Sequence, residues 1–157
     1  MLTLLLSAAL THATEIGTER KIGVGVETGN GAIGASGKYF LSPAIGVSAG
    51  LGNFGKLQQL RLDFEMDIFT LRDEPFGRFD LFWLAGIDTG LWVLPGTAAG
   101  RFGVGAGVGL DLKLHDTPCE AFVHIGMGVF PVEYCTNSNS SFCLLTPRGG
   151  LGGRYYF

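Results

Sequence analysis

The stretch LRLDFEMDI, Leu60 to Ile68, settles the local structure of this chain. Leu60, Leu62, Phe64, Met66 and Ile68 share one parity; Arg61, Asp63, Glu65 and Asp67 share the other. Strict alternation is the period of an extended strand, whose successive side chains point to opposite faces. A helix would scatter both classes around its axis. RFGVGAGVGLDLKL, from Arg101 to Leu114, repeats the device, with Phe102, Val104, Ala106, Val108, Leu110, Leu112 and Leu114 against Arg101, four glycines, Asp111 and Lys113.

Working outward, eight such segments cover the chain: Lys21–Thr28, Ala32–Leu41, Ile45–Gly52, Leu57–Ile68, Arg78–Trp92, Arg101–Leu114, Glu120–Phe130 and Arg148–Phe157. Gly, Pro, Asn and Asp turns separate them, and no amphipathic helix of any length competes. Each segment's parity can be set from its apolar residues alone, and the charges then counted. Of 25 charged residues, nine fall in the tail and turns: Glu15, Glu19, Arg20, Lys56, Arg72, Asp73, Glu74, Asp116 and Glu133. The other 16 all fall opposite the apolar face. Eight are cations: Lys21, Lys38, Arg61, Arg78, Arg101, Lys113, Arg148 and Arg154. Eight are carboxylates: Glu27, Asp63, Glu65, Asp67, Asp80, Asp88, Asp111 and Glu120.

The composition agrees with two unlike faces. The 157 residues include 26 glycines, only 16% charged residues and 46% hydrophobic ones. So apolar a chain, with a net charge of -3, is not disordered. Its glycines keep no three-residue period, which excludes collagen. With 11 basic against 14 acidic residues, it is no charge-driven nucleic-acid binder.

Alternation alone does not say which face is inside. A soluble lipocalin-like ligand-binding barrel turns its apolar face inward, and an outer-membrane barrel turns it to lipid. Three features favour lipid. No charge stands on the apolar face, as hydrocarbon requires, since Arg or Lys at mid-depth costs roughly 2–4 kcal/mol. The same parity places 16 of the 26 glycines on the charged face. Eight strands enclose only enough space for side chains, so opposed charges need neighbours of almost no volume. Finally, Tyr39, Phe79, Tyr155 and Phe157 gather at the end where the chain exits, as an interfacial girdle would. The expected architecture is an all-β, eight-stranded antiparallel up-and-down transmembrane barrel with a polar, filled lumen. Leu62, Phe64, Met66, Val104, Val108 and Leu110 would face lipid.

The N-terminal MLTLLLSAALTHA (residues 1–13) has the apolar run and small-residue end of a secretory signal peptide. No Lys or Arg precedes Arg20, so the charged leading region is missing. Residues 14–20 would form a periplasmic tail and 21–157 the barrel. Among the cysteines, Cys135 and Cys143 bracket TNSNSSF, which reads as a disulfide-closed loop of an exported protein, with Cys119 left over. No His/Cys cluster has zinc spacing, and neither a metal nor a cofactor is expected.

The last eight residues, GLGGRYYF, place Gly152, Tyr155 and the terminal Phe157 at the spacing of the C-terminal signal that the barrel-assembly machinery reads in bacterial outer-membrane barrels. Gly150 departs from it, standing where a polar residue is usual. That ending and GASGKYFLS, Gly34 to Ser42, resemble a family of small bacterial outer-membrane barrels of unassigned function; the general build resembles OmpX/OmpA-type eight-stranded barrels. The resemblance implies a fold and a Gram-negative outer-membrane location, with lipids and the assembly machinery as partners. It implies no catalytic residue.

The inward charges form the most suggestive constellation: Lys38, Arg61, Asp63, Glu65, Asp67, Arg78, Asp80, Asp88, Arg101, Asp111, Lys113, Glu120 and Arg154. Balanced signs in a narrow barrel point to a salt-bridge network that fills it. The alternative is a narrow proton or ion path lined by Arg61, Asp63, Glu65 and Asp67; a wide porin needs around 16 strands. A lipid-modifying hydrolase would require a serine beside His124, but Val123 and Ile125 stand there. The connection from Pro131 to Pro147, with Tyr134 and Phe142, is the natural place for an extracellular ligand. The expected role is non-enzymatic, either envelope-structural or surface-binding.

Overall fold

A computed structural model describes residues 16–157 apart from 30–31, 55–56, 95–96 and 136–142. The expected signal segment, residues 1–13, lies outside the described residues. Eight strands follow one another: β1 (Ile22–Gly29), β2 (Ala32–Ser42), β3 (Ile45–Phe54), β4 (Leu57–Glu74), β5 (Gly77–Leu94), β6 (Thr97–Leu114), β7 (Cys119–Cys135) and β8 (Cys143–Tyr156). Each pairs antiparallel with its neighbour in sequence, and β8 closes on β1, so the sheet is a closed up-and-down barrel.

The closure is staggered. Partners followed from Gly23 through Lys38, Ser48, Asp63, Gly86, Gly105 and Gly128 reach Thr146, whereas the residue that closes on Gly23 is Tyr156. A slip of about ten residues per circuit belongs to strands tilted by roughly 40°, the usual range for an eight-stranded barrel.

Parity decides the two surfaces. Leu62, Phe64, Val104, Val108 and Leu110 point out and are exposed, with Met66 outward but half-buried. Exposed Ile22, Val24, Val26, Leu51, Val123, Ile125 and Leu151 continue this apolar exterior around the barrel. Two bulges in β4 break the alternation after Asp67, so Ile68 and Phe69 are both exposed. The extra residue a bulge inserts resets parity, which explains why the regular pattern ends at Ile68 although β4 runs to Glu74. Arg72, expected in a turn, therefore lies on β4 opposite Phe79 and pairs with Glu74 at the hairpin end.

At the end where β1 begins and β8 finishes, Tyr39, Tyr155 and Phe157 are exposed and Phe79 is half-buried. Phe76 and Phe79 meet edge-on, as do Tyr155 and Phe157. The opposite end departs from expectation. β7 continues past Pro131 to Cys135, and β8 starts at Cys143, ahead of Pro147. Pro131 lies just beyond the bulge in the β7–β8 register, a site where a strand tolerates a residue that cannot donate. The expected loop from Pro131 to Pro147 is thus strand at both of its ends, and residues 136–142 between them lie outside the described residues.

The glycines are sockets. A Cβ at Gly23 would meet the Tyr156 ring at 2.6 Å, one at Gly150 the His124 ring at 2.8 Å, and one at Gly152 the Phe122 ring at 2.7 Å. At Gly50 it would strike the Glu27 carboxylate, at Gly86 that of Asp63, and at Gly109 the Phe82 ring. Each of these six inward side chains thus lies over a glycine on another strand, a neighbouring one in every case but Glu27, which reaches past β2 to Gly50 on β3. Four of these six occupants are rings, so room is made for rings as well as for charges.

Candidate functional site: the charged interior

Inward parity on eight strands brings together residues far apart in sequence. All thirteen predicted interior charges lie on the inward face, and Glu27 and Arg148 join them. Lys21 does not: it precedes β1 and is exposed. Nor is the interior purely polar, because Phe40, Phe82, Leu84, Phe122, Phe130 and Tyr156 are buried on the same face. Their parity matches that of the charges, so the signal was present; it is hidden when apolar residues are used to define the outer face.

The charges form two tiers. In the lower tier, nearer the termini, Lys38 Nζ lies 2.9 Å from Glu65, 3.1 Å from Glu120 and 3.8 Å from Asp111. Arg154 Nη1 reaches Glu120 at 3.1 Å, and its Nε donates to Ser36 Oγ at 2.9 Å. Tyr156 Oη donates to Glu120 Oε2 at 2.6 Å. Beside them, Lys113 Nζ is 2.7 Å from Asp67, 2.9 Å from Asp80 and 3.4 Å from Asp111, while Arg78 and Thr70 also bind Asp80.

The upper tier centres on Arg61. Its Nη2 donates to Glu27 at 2.9 Å, and its Nε is 2.7 Å from Asp63. Arg148 reaches Asp63 at 2.9 Å, and Gln59 Nε2 donates to both oxygens of Asp88 at 3.0 Å. Arg154 links the tiers, lying 4.0 Å from both Glu27 and Glu65. Further up, the Arg101 guanidinium sits 4.4 Å from the centre of the Phe130 ring, a cation–π contact.

Arg61–Asp63, Arg78–Asp80 and Lys113–Asp111 are neighbours along one strand, but other pairs cross between walls. Lys38 on β2 meets Glu120 on β7, and Arg148 on β8 meets Asp63 on β4. Withdrawing such charges from water costs several kcal/mol each, recovered only where geometry and extra hydrogen bonds are good. Glu120 meets that demand with Lys38, Arg154 and Tyr156 around it.

His124 stacks on Phe122, and its Nε2 lies 2.8 Å from Arg61 Nη1. Arginine has no acceptor, so the imidazole nitrogen must accept, and its lone pair is not free to take a proton from a nucleophile. Above Arg61, Gly29, Gly34, Gly50 and Gly52 leave a cavity of about 20 Å³, room for one water and far below the size of a small-molecule site. Among the described residues no group of three or more His, Cys, Asp or Glu could hold a metal ion.

The predicted assembly residues separate by parity: Tyr155 and Phe157 point out, and Gly152 points in beneath Phe122. Cys119, at the start of β7, is a half-buried free thiol. The side chains of Cys135 and Cys143 lie outside the described residues. Their backbones do not face one another: Cys135 pairs with Ala99, and Cys143 pairs with Phe130. At about 3.3 Å per residue this stagger is roughly 16 Å along the strand, against the roughly 4.4–6.8 Å between Cα atoms that a disulfide spans.

No family model and no curated protein matches the chain. Among solved structures it is similar to the N-terminal β-barrel domain of Pseudomonas aeruginosa OprF, at 16% identity and a TM-score of 0.51, over 87% of this chain and 96% of that one. Acinetobacter baumannii CarO aligns at 10% identity and a TM-score of 0.47, over 87% and 98%. The likeness to the OprF domain is one of fold alone, that of a β-barrel, which in this chain is closed by eight antiparallel strands.

Proposed function

We propose that this chain is an integral, non-enzymatic protein of a bacterial outer membrane, with an interior closed by its own ion pairs and a role in envelope structure or surface recognition rather than transport. The observation that carries this reading is the contrast between the two faces. Exposed aliphatic side chains ring the outside, while Lys38, Arg61, Arg148 and Arg154 reach carboxylates on other strands across the inside. A soluble barrel would place its apolar face within. The lone pair that His124 gives to Arg61 argues against hydrolysis. Tyr155 and Phe157, exposed at the exit, are available to the assembly machinery. Any extracellular ligand would be met at the end carrying residues 136–142, within the region 131–147.

The test has two parts. Cell fractionation should recover the protein from outer membranes, soluble only with detergent; recovery in a detergent-free soluble fraction would sink the proposal. Refolded protein should leave a planar bilayer silent. Reproducible single-channel currents, altered by Asp63→Asn or Arg61→Gln, would replace the closed interior with a narrow ion path. Replacing residues 136–142 by a two-residue turn should abolish surface binding without affecting folding.

A further inference from the structure

The residues just ahead of β1 do not trail away from the barrel. At Gly17 the backbone takes φ +95°, and its N–H donates to the Arg20 carbonyl at 2.9 Å while Ile16 bridges to Arg20. This tight reversal turns the Ile16 side chain into the mouth at the terminal end. Ile16 is 5% exposed and packs with Phe40 and Tyr156, which are 1% and 0% exposed. Arg20 Nη1 donates to the Tyr156 carbonyl at 3.2 Å and ties down the other side of the turn.

What lies above gives the arrangement its meaning. The Phe40 and Tyr156 rings are 5.7 Å apart. Lys38 Nζ sits 4.6 Å from the centre of the Phe40 ring, and Tyr156 Oη donates to Glu120. From the mouth inward the order is Ile16, then the two rings, then the Lys38–Glu120–Arg154 tier. The rings are the underside of that tier, and Ile16 covers them.

We propose that Ile16–Arg20 is a detachable stopper for this sector of the mouth. Seated, it keeps water out of the lower tier from the terminal side; withdrawn, it opens that tier to solvent. The barrel wall is held by continuous hydrogen-bonded ladders, whereas the stopper is a five-residue turn outside them, held through Ile16, the Gly17–Arg20 hydrogen bond and contacts of Thr18 and Arg20. Segments so lightly held are those that open locally while the rest stays folded. Its seat is also demanding. A Cβ on Gly17 would lie 3.2 Å from the Pro43 carbonyl and 3.3 Å from the Phe40 ring, at a φ that side chains other than glycine rarely adopt.

Ser48, 1% exposed and opposite Lys38 on β3, reports on this space. In a chain carrying Ser48→Cys with Cys119, Cys135 and Cys143 changed to Ser, labelling by a charged methanethiosulfonate reagent in detergent micelles measures access. From the other end the reagent would have to pass the buried Arg61–Asp63–Arg148 contacts. Ile16→Asp or Gly17→Val should speed labelling at least tenfold, while Glu19→Gln, at an exposed position, should leave it unchanged. Heat-modifiable gel mobility shows that each variant is folded. Two folded stopper variants that label at the parent rate would overturn the proposal, as would a parent that labels as fast as unfolded chain. Micelles make the outcome independent of where the protein resides in the cell, so failure here and failure of the outer-membrane reading are separate results.

Discussion

Lys38 Nζ and Glu120 Oε1 lie 3.1 Å apart across the barrel, although 82 residues separate them in the chain. Neither side chain touches solvent, at 1% and 0% exposure. Glu65 and Asp111 also face Lys38, so its ammonium is the hub around which three carboxylates from three further strands are arranged. Removing a hub leaves buried charge uncompensated. Lys38→Met should therefore destabilise the barrel by about 3–5 kcal/mol. In Lys38→Met/Glu120→Gln the loss should fall short of the sum of the single changes by about 0.5–3 kcal/mol. Urea unfolding in lipid vesicles measures both, and additive losses would mean that the two groups act independently.

The sockets make a second, steric prediction. Gly23→Ala and Gly109→Ala push a methyl group into the Tyr156 and Phe82 rings, and each should cost about 1–3 kcal/mol through overpacking. Gly37→Ala and Gly100→Ala, where a Cβ meets its nearest neighbour at 3.7 Å, should be close to neutral. The same unfolding experiment separates the pairs, and equal costs would show that the glycines serve some purpose other than space.

The exterior can be probed by depth. Val108 lies mid-strand on the outer face, while Leu41 ends β2 beside the turn. Val108→Arg should lose about 2–4 kcal/mol in vesicles, and Leu41→Arg no more than about 1 kcal/mol. A flat response would place the outer face in something other than hydrocarbon.

The stagger between Cys135 and Cys143 predicts thiol chemistry. With β7 and β8 in this register, both cysteines should react with iodoacetamide without prior reduction, giving two added groups by mass spectrometry beyond the one on Cys119. Protection of both until reduction would show that the end of this hairpin folds back to close the roughly 16 Å stagger.

The barrel was legible because its wall is built on a two-residue rule that single segments obey without reference to their neighbours. Leu60–Ile68 carries the rule in full, and closure follows once eight such segments must satisfy every edge. What the pattern could not carry lies where the rule is broken or where partners are remote. The bulge past Asp67 places Ile68 and Phe69 on one surface, and alternation cannot foresee it. Pro131 and Pro147 read as loop markers, yet both lie in strands. Inward Phe40, Phe82 and Tyr156 carry the parity of the charges, so an apolar residue by itself does not mark the outer face. Which carboxylate meets which cation depends on the slip of the closed sheet, a property of no single strand. The turn at Gly17 has no period at all.

Since Glu27, Asp63, Phe82, Phe122, His124 and Tyr156 each rest over a glycine on another strand, these parts of the interior cannot vary one position at a time. A larger residue at Gly50 demands a smaller one at Glu27, and Gly150 and His124 are tied in the same way. Homologous sequences should therefore change at these pairs together, with one member shrinking as the other grows. Two positions more than twenty residues apart would then behave, over evolutionary time, as a single locus of roughly constant volume.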